Sequence, residues 1–413
     1  MIDRQQFVEM AKVNISHVQA GGTASQAPGV FRVPASHYLD PQRWEAEMTR
    51  IFKRVPLMLA LAGEMPQPGD YKAMTVMEVP VLLTRGADGE IRAFMNSCSH
   101  RGAMIVEDGL GHAKRISCPY HNWTYNTEGD LVGLTDRREF GQVDTSCLGL
   151  TPLPVAVRAG LVFVVLTPGA YLDVDAFLHG YDQVLEHFDF GSWELKWRQE
   201  IPGPNWKVAY DGYLDFYHLP FLHKDTFGTD ISNKALYTSW GPHQRVQRPD
   251  PKLLELVDKP EEDWSIDMMD GGVWTIFPHI SFAGDHSGGM FSQLFPGPTW
   301  DSSVTVQSWF VPTKEVEITR RSNLVPEDTE NGSAEQQAFM RHVVEDEDYY
   351  TGLRLQKALA AGAKTEVLFG RNEGGGHSFH SWVQRCLDDD EPFSRPIEVD
   401  YGEAAGAAGK PAV

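Results

Sequence analysis

One stretch limits what this chain can fold into more than any other: CSHRGAMIVEDGLGHAKRISCPYH, from Cys98 to His121. It sets Cys98 and His100 in one pair and Cys118 and His121 in a second, with 17 residues between His100 and Cys118. Structural zinc sites usually draw on like pairs, C-x2-4-C and H-x3-5-H, whereas here each pair joins one thiolate to one imidazole. That mixed set is what a [2Fe-2S] cluster needs when two cysteines hold one iron and two histidines hold the other. Each pair then sits on its own loop, and the fold must bring the two loop tips together.

The flanking residues allow this. Upstream, YKAMTVMEVPVLLTRGADGEIRAFMN alternates in part, with Ala87-Asp88-Gly89 as a hairpin turn, so the first pair follows directly on a strand. Gly102 frees the backbone at the first loop tip, and Pro119 fixes the second loop between its ligands. After His121, NWTYNTEGDLVGL reads as another hairpin around Thr127 to Asp130, with Trp123 and Tyr125 placed to shield the cluster from water.

With C-x-H-R-G-A and C-P-Y-H-x-W-x-Y both intact, the stretch resembles the Rieske domain of the ring-hydroxylating, non-haem iron oxygenases. Ser99 stands where that family commonly has Arg, outside the ligand set. The resemblance implies an α+β chain. A β-rich Rieske [2Fe-2S] domain would be followed by a catalytic domain with an antiparallel sheet and helices, of helix-grip, START-like type. The expected division is a helical arm over 1–48, the Rieske domain over 49–168, the mononuclear iron domain over 169–400 and a disordered tail over 401–413.

A second motif lies in NWKVAYDGYLDFYHLPFLH, from Asn205 to His223. Spacings of four and three put Asp211, Asp215 and His218 on one face of a helix. Pro220 interrupts that helix, pushes Leu219 toward an extended conformation and swings His223 back toward His218. Two imidazoles with a carboxylate to come describe the facial triad of non-haem Fe(II) oxygenases, which leaves positions open for dioxygen and substrate. Taken alone, H-x4-H fits a pair of structural histidines as well. The segment resembles the same family through Asn205, Trp206, Lys207, Asp215, Tyr217, His218, Pro220 and His223. Asp211 departs from it, since the family often has Asn near this position, and whether Asp211 approaches the iron stays open.

The third ligand is expected downstream, on an amphipathic helix from Ser333 whose stripe includes Met340, Val344, Leu355 and Leu359. Asp348 falls on that stripe where an apolar residue would be expected, and its surroundings also resemble the family's carboxylate segment. Asp346 is the alternative, with Glu345 and Glu347 read as solvated. His179, His187, His377 and His380 have no ligand role in this reading, the first two being taken as surface residues. Gly374 to Gly376 read as a turn, since no strand precedes them and no Lys follows. The aromatics Phe216, Phe221, Phe227, Trp274, Phe277 and Phe282 read as mainly core.

A chain of 413 residues has room for two or three domains, with roughly three quarters of its unfolded surface buried. Its 57 acidic against 36 basic side chains, a net charge of -21, argue against nucleic acid or an anionic membrane as partner. Cys147 and Cys386, the two cysteines outside the motif, read as unpaired thiols in a reducing cytoplasm. MIDRQQFVEMAKVN lacks an apolar run behind a basic start, so no secretory signal is expected. Residues 1 to 20 and the stretch from Asp40, where Asp40 caps and Pro41 opens the first turn, read as helices.

The resemblance implies a terminal oxygenase component that hydroxylates, dihydroxylates or oxidatively demethylates a small, most often aromatic substrate with O2. Electrons would come from NAD(P)H through a reductase, with or without a ferredoxin. It also implies a homotrimer, with or without a beta subunit, in which Asp215 bridges His121 of one subunit and His218 of its neighbour. A quaternary amine substrate, or a Rieske electron carrier fused to a ligand-binding domain without a second iron, are the alternatives.

Overall fold

The computed structural model describes residues 3–316, 324–326, 328–395 and 401; apart from Tyr401, the expected tail lies outside the described residues. The chain is an α+β protein that packs as two compact units. One holds Phe52–Val174 with Asp189–Glu194, and the other holds the chain up to Ile51, Asp175–Phe188 and the chain from Leu195 onward. No helix among the described residues is long and apolar enough to cross a membrane.

The smaller unit is built of short antiparallel strands. A five-stranded sheet runs in the order Pro152–Leu153, Ile91–Met95, Val79–Arg85, Asp70–Val76, Gly109–His112. A three-stranded sheet joins Arg115–Ser117, Thr124–Asn126 and Leu131–Gly133. Gly89, at a φ of 84°, closes the Ala-Asp-Gly hairpin. The chain also turns a second time, at Met77 and Glu78, with φ of 46° and 69°. No Gly, Asn or Asp marks that turn, so the alternation upstream of it read as continuous strand. Between the sheets, Leu82, Phe94, Ile105, Ile116, Trp123, Tyr125 and Leu150 form one apolar cluster that also buries Cys98 and Cys118. Each large side chain fully buried here contributes about 1.5–3 kcal/mol.

The larger unit is organised by a seven-stranded sheet in the order Trp193–Gly203, Ser303–Pro312, Gly288–Pro296, Ile280–Asp285, Gly272–Ile276, His243–Gln247, Leu236–Trp240. Helix Gly374–Asp388 packs on it through Phe379, whose ring meets Phe277, Tyr210 and Trp206. Its opening GGG is the first turn of this helix and not a loop turn. A Cβ on Gly375 would lie 2.4 Å from the Leu214 carbonyl oxygen, and one on Gly376 2.4 Å from the Phe369 ring, so the helix can approach only without side chains there. Helix Arg4–Gln19 is capped by Asp3, and helix Pro41–Glu47 by Asp40 with Pro41 in its first turn.

Not every expected helix is continuous: the one from Asp40 passes into a π turn over Met48–Phe52, and others are broken. The helical spacing through Phe177, Tyr181, Leu185 and Phe188 is split at His179 and Gly180, both with positive φ, into Val174–Leu178, Tyr181–Leu185 and a 3-10 turn, Glu186–Phe188. The helix from Ser333 is α-helical over Ala334–His342, becomes a π-helix over Val343–Tyr349, and resumes over Tyr350–Ala360. The π segment shifts the phase of the buried face. Met340, Val344 and Leu359 are buried, but Leu355 is exposed and Gln356 takes its place inside.

Candidate metal centres

The two cysteine–histidine loops share one backbone design. In the first, the Cys98 N–H donates to Ala103 O and the Gly102 N–H to Cys98 O, each 2.8 Å. In the second, the Cys118 N–H donates to Trp123 O at 2.8 Å and the Asn122 N–H to Cys118 O at 2.9 Å. The residue four beyond each cysteine has a positive φ, 80° at Gly102 and 56° at Asn122, which closes each loop tightly. Glycine allows this freely, and Asn is among the few other residues that tolerate it.

These loops bring the imidazoles of His100 and His121 together, with their Nδ1 atoms 3.2 Å apart. Trp123 stacks on His100 at a centroid distance of 4.8 Å, and Phe140 meets both rings edge-on. Behind them the Tyr125 hydroxyl lies 3.2 Å from Cys98 Sγ and accepts the Ser99 N–H at 3.0 Å. Burial pushes the Cys98 thiol pKa up, against the pull of Tyr125, as expected of a thiol in an apolar wall. Two buried sulfurs on one side and two facing imidazole nitrogens on the other fit a cluster with two unlike irons.

The second centre draws on two distant segments. Asn205 caps helix Trp206–Asp211 by accepting the Lys207 N–H, and Trp206 Nε1 and Lys207 Nζ both donate to the buried Glu47 carboxylate. The helix then stops at Asp211, so Asp211, Asp215 and His218 do not share one helical face. Gly212 weakens its continuation, and Asp215 instead accepts the His218 N–H at 3.1 Å, a turn its side chain offers in competition with the helix. Pro220 lies within the short helix Leu219–Leu222 and does not extend Leu219. In the first turn a proline forfeits no helical hydrogen bond.

That single turn, with Leu222 N–H donating to His218 O and His223 N–H to Leu219 O, aims both imidazoles at Asp348. Asp348 Oδ1 lies 3.2 Å from His223 Nε2 and 3.8 Å from His218 Nε2, and all three ligand atoms lie within 4.8 Å of one another. Each ring is held from behind by a carboxylate: His218 Nδ1 by Asp215 Oδ1 at 3.1 Å, His223 Nδ1 by Glu347 Oε2 at 2.7 Å. A proton on each Nδ1 leaves both Nε2 lone pairs facing the Asp348 oxygen. Burial works against the charged form of His218, yet Asp215 and then Asp348 outweigh it and raise its pKa to about 9. So strong a demand for positive charge at this point suits a divalent cation bound by two imidazoles and one carboxylate.

Residues 55–147 match the Rieske [2Fe-2S] domain, and residues 190–389 match the catalytic domain of the ring hydroxylating alpha subunit. The large oxygenase component of salicylate 5-hydroxylase from Ralstonia sp is 35% identical, over 61% of this chain and 69% of that one. The chain belongs to the ring-hydroxylating oxygenase alpha subunits. The alpha subunit of 2-aminobenzenesulfonate 2,3-dioxygenase from Alcaligenes sp is 32% identical over 50% of this chain and 54% of its own, so the chain spans about half the length of that relative. The fold is also that of the quaternary ammonium Rieske monooxygenase CntA, solved with its substrate L-carnitine, at a TM-score of 0.70 and 22% identity over 86% of this chain and 96% of that chain.

In this alpha subunit several residues stand elsewhere than their spacing suggested. Asp211 pairs with neither His218 nor His223 but accepts from Tyr38 at 2.8 Å, with His380 Nε2 at 2.9 Å, where Tyr38 and His380 are buried and Asp211 is partly buried. Glu347 is not solvated, since it also accepts the Thr226 hydroxyl at 2.7 Å. The π segment turns it and Asp348 toward the same imidazole, whereas Glu345 pairs with Arg341 and Asp346 with His342 at the surface. His187 and His179 are not surface residues. His187 pairs with the buried Asp270, and His179 lies beside Trp382 with its Nε2 buried. Trp274, Phe277 and Phe282 are core, but Phe221 is 66% exposed.

Phe216, Leu219 and Phe227, which flank the two histidines in sequence, line a cavity of about 990 Å³. Its wall continues through Asn14 and Val18 of the first helix and through Arg248, Val273 and Asp285. The first helix contributes in a way no local pattern announces. Arg248 makes no side-chain hydrogen bond or ion pair among the described residues, and burial alone lowers its pKa.

Proposed function

We propose that this chain is the terminal oxygenase component of a Rieske-type system acting on a small aromatic anion. Electrons from NAD(P)H arrive through a reductase, with or without a ferredoxin, and O2 is used to hydroxylate, dihydroxylate or oxidatively demethylate the substrate. The observation that carries this reading is the presence, in one chain, of two unlike donor sets. Cys98, His100, Cys118 and His121 would hold the [2Fe-2S] cluster; His218, His223 and Asp348 would hold the mononuclear iron. When bound, the cluster supplies electrons singly and the ferrous ion supplies open coordination positions.

The chain's own groups prepare both places. Glu347 and Asp215 fix the imidazole tautomers, and Trp123, stacked on His100, with Phe140 at its edge holds the orientation of that ring. Asp215, already bonded to His218 Nδ1, bridges to His121 of the partner subunit in a homotrimer, with or without a beta subunit. In the cavity, the guanidinium of Arg248, unpaired among the described residues, offers a two-pronged donor for a carboxylate or sulfonate, while Phe216 and Phe227 supply flat apolar contact. Asp285 lines the same cavity, but its Oδ1 is engaged by the Ser287 N–H and hydroxyl, so it is the weaker recruiter of a cation. The relatives named for salicylate and 2-aminobenzenesulfonate carry such anions in their names.

The test is turnover under isotopically labelled O2, with both metals in place and a reductase supplied. Aromatic carboxylates and sulfonates are expected to take up label, and Arg248→Met to raise KM at least tenfold with a smaller change in kcat. Labelling of a quaternary amine and of no aromatic acid overturns the substrate class. Absence of label in every substrate overturns the oxygenase reading.

A further inference from the structure

A second convergence of metal-binding groups lies in the larger unit, apart from the His218 centre. His187 lies in the 3-10 turn Glu186–Phe188, and Asp267 in another, Ile266–Met268. Asp270 precedes strand Gly272–Ile276, and His286 sits in the turn between Ile280–Asp285 and Gly288–Pro296. His187 Nε2 lies 3.0 Å from Asp270 Oδ2 and 3.6 Å from Asp267 Oδ1, while His286 Nδ1 lies 2.8 Å from the same Asp270 oxygen. One ligand atom from each residue falls within a 4.8 Å group. Four donors around zinc, each about 2.0–2.2 Å from the ion, stand about 3.3–3.6 Å apart when tetrahedral, so the observed spacing needs only small adjustment.

Charge and burial point the same way. Asp270 is 1% exposed, and its Oδ2 already accepts the His286 N–H at 3.0 Å, an outer contact that aims the carboxylate. The side chains of His187 and His286 are 9% and 10% exposed. Asp270 places its carboxylate between the two imidazoles almost wholly out of water, with Asp267 at the rim of the group, and two carboxylates beside two imidazoles are a donor set that suits a divalent cation. The Phe7 ring closes over His187 at 5.2 Å.

We propose that His187, Asp267, Asp270 and His286 form a structural site for a divalent transition metal, zinc by its donor set. With four protein ligands, it pins the Glu186–Phe188 turn to the sheet and leaves no open position for chemistry. The probe is zinc alone, offered to the full chain with its cluster in place. His218→Ala and Asp348→Ala are included so that the other centre takes no metal. Desalted protein is expected to keep one zinc per chain by mass spectrometry and to unfold at a higher temperature than the zinc-free form. Adding His187→Ala and His286→Ala should remove at least nine tenths of that zinc. Should that variant not fold, Asp267→Asn, at a 41% exposed side chain, is expected to weaken zinc binding at least tenfold. Zinc absent from the parent, zinc retained after both histidine substitutions, or unchanged affinity in Asp267→Asn overturns the site.

Discussion

The loops around Cys98 and Cys118 carry their own scaffolding, whereas His218, His223 and Asp348 borrow theirs. In the loops, each cysteine N–H and C=O is bonded within five residues, and the same short strands supply the apolar wall. In the second set His218 has Asp215 close by, but His223 depends on Glu347, and the Asn205–Lys207 segment that leads into both leans on Glu47 and Gln356, all far away in sequence. Local scaffolds make a centre that survives change elsewhere; borrowed scaffolds make one that distant substitutions can reach.

The largest effects should separate the two centres completely. Asp348→Ala is expected to lose mononuclear iron and turnover to background while the visible absorbance of the cluster persists; Cys118→Ser should bleach the cluster and leave the other iron in place. Iron analysis beside absorbance reads both, and joint loss of both metals in either variant would break the contrast. Glu47→Gln leaves the Lys207 ammonium without its buried counter-charge, so a loss of about 3–5 kcal/mol in urea unfolding is expected. A loss under 1 kcal/mol would mean that the Asn-Trp-Lys segment does not lean on Glu47.

Asp215→Ala should keep both metals and lower turnover by about 100-fold, the upper end for groups that orient a ligand; full turnover would remove the bridge. Glu347→Gln keeps an oxygen near His223 but withdraws its charge, and iron affinity should fall about 10–100-fold in equilibrium dialysis. The smallest effect is expected at Tyr125→Phe, which removes a hydroxyl 3.2 Å from Cys98 Sγ and should lower the cluster potential in a redox titration with the metal content unchanged. An unmoved potential would show that Tyr125 serves packing alone.

Much of the Rieske unit could be read directly because its signals are short-range. The mixed pairs, Gly102 and the Ala-Asp-Gly hairpin each act within a few residues. The Met77–Glu78 turn escaped notice since neither residue advertises a positive φ. In the second centre, spacing pointed to Asp348 but assumed one unbroken helix. The π segment changes the angle per residue, which carried Leu355 to the surface and Glu347 to His223. Continuous 3.6-residue periodicity also misplaced Asp211, because the helix ends where Asp215 captures the next backbone N–H.

Sequence alone determined which residue types stand at which spacing, and so the two kinds of donor set, while the α+β class came from the family resemblance those motifs carry. The donor sets follow from local rules: ligand chemistry, turn residues and side-chain period. Only the tertiary structure decided which carboxylate faces which imidazole, that Asp211 belongs to Tyr38 and His380, and that Arg248 lines a cavity without a side-chain partner among the described residues. These depend on contacts between segments more than a hundred residues apart, where packing and the cost of an unmet buried charge choose the partner, and no local period records that choice.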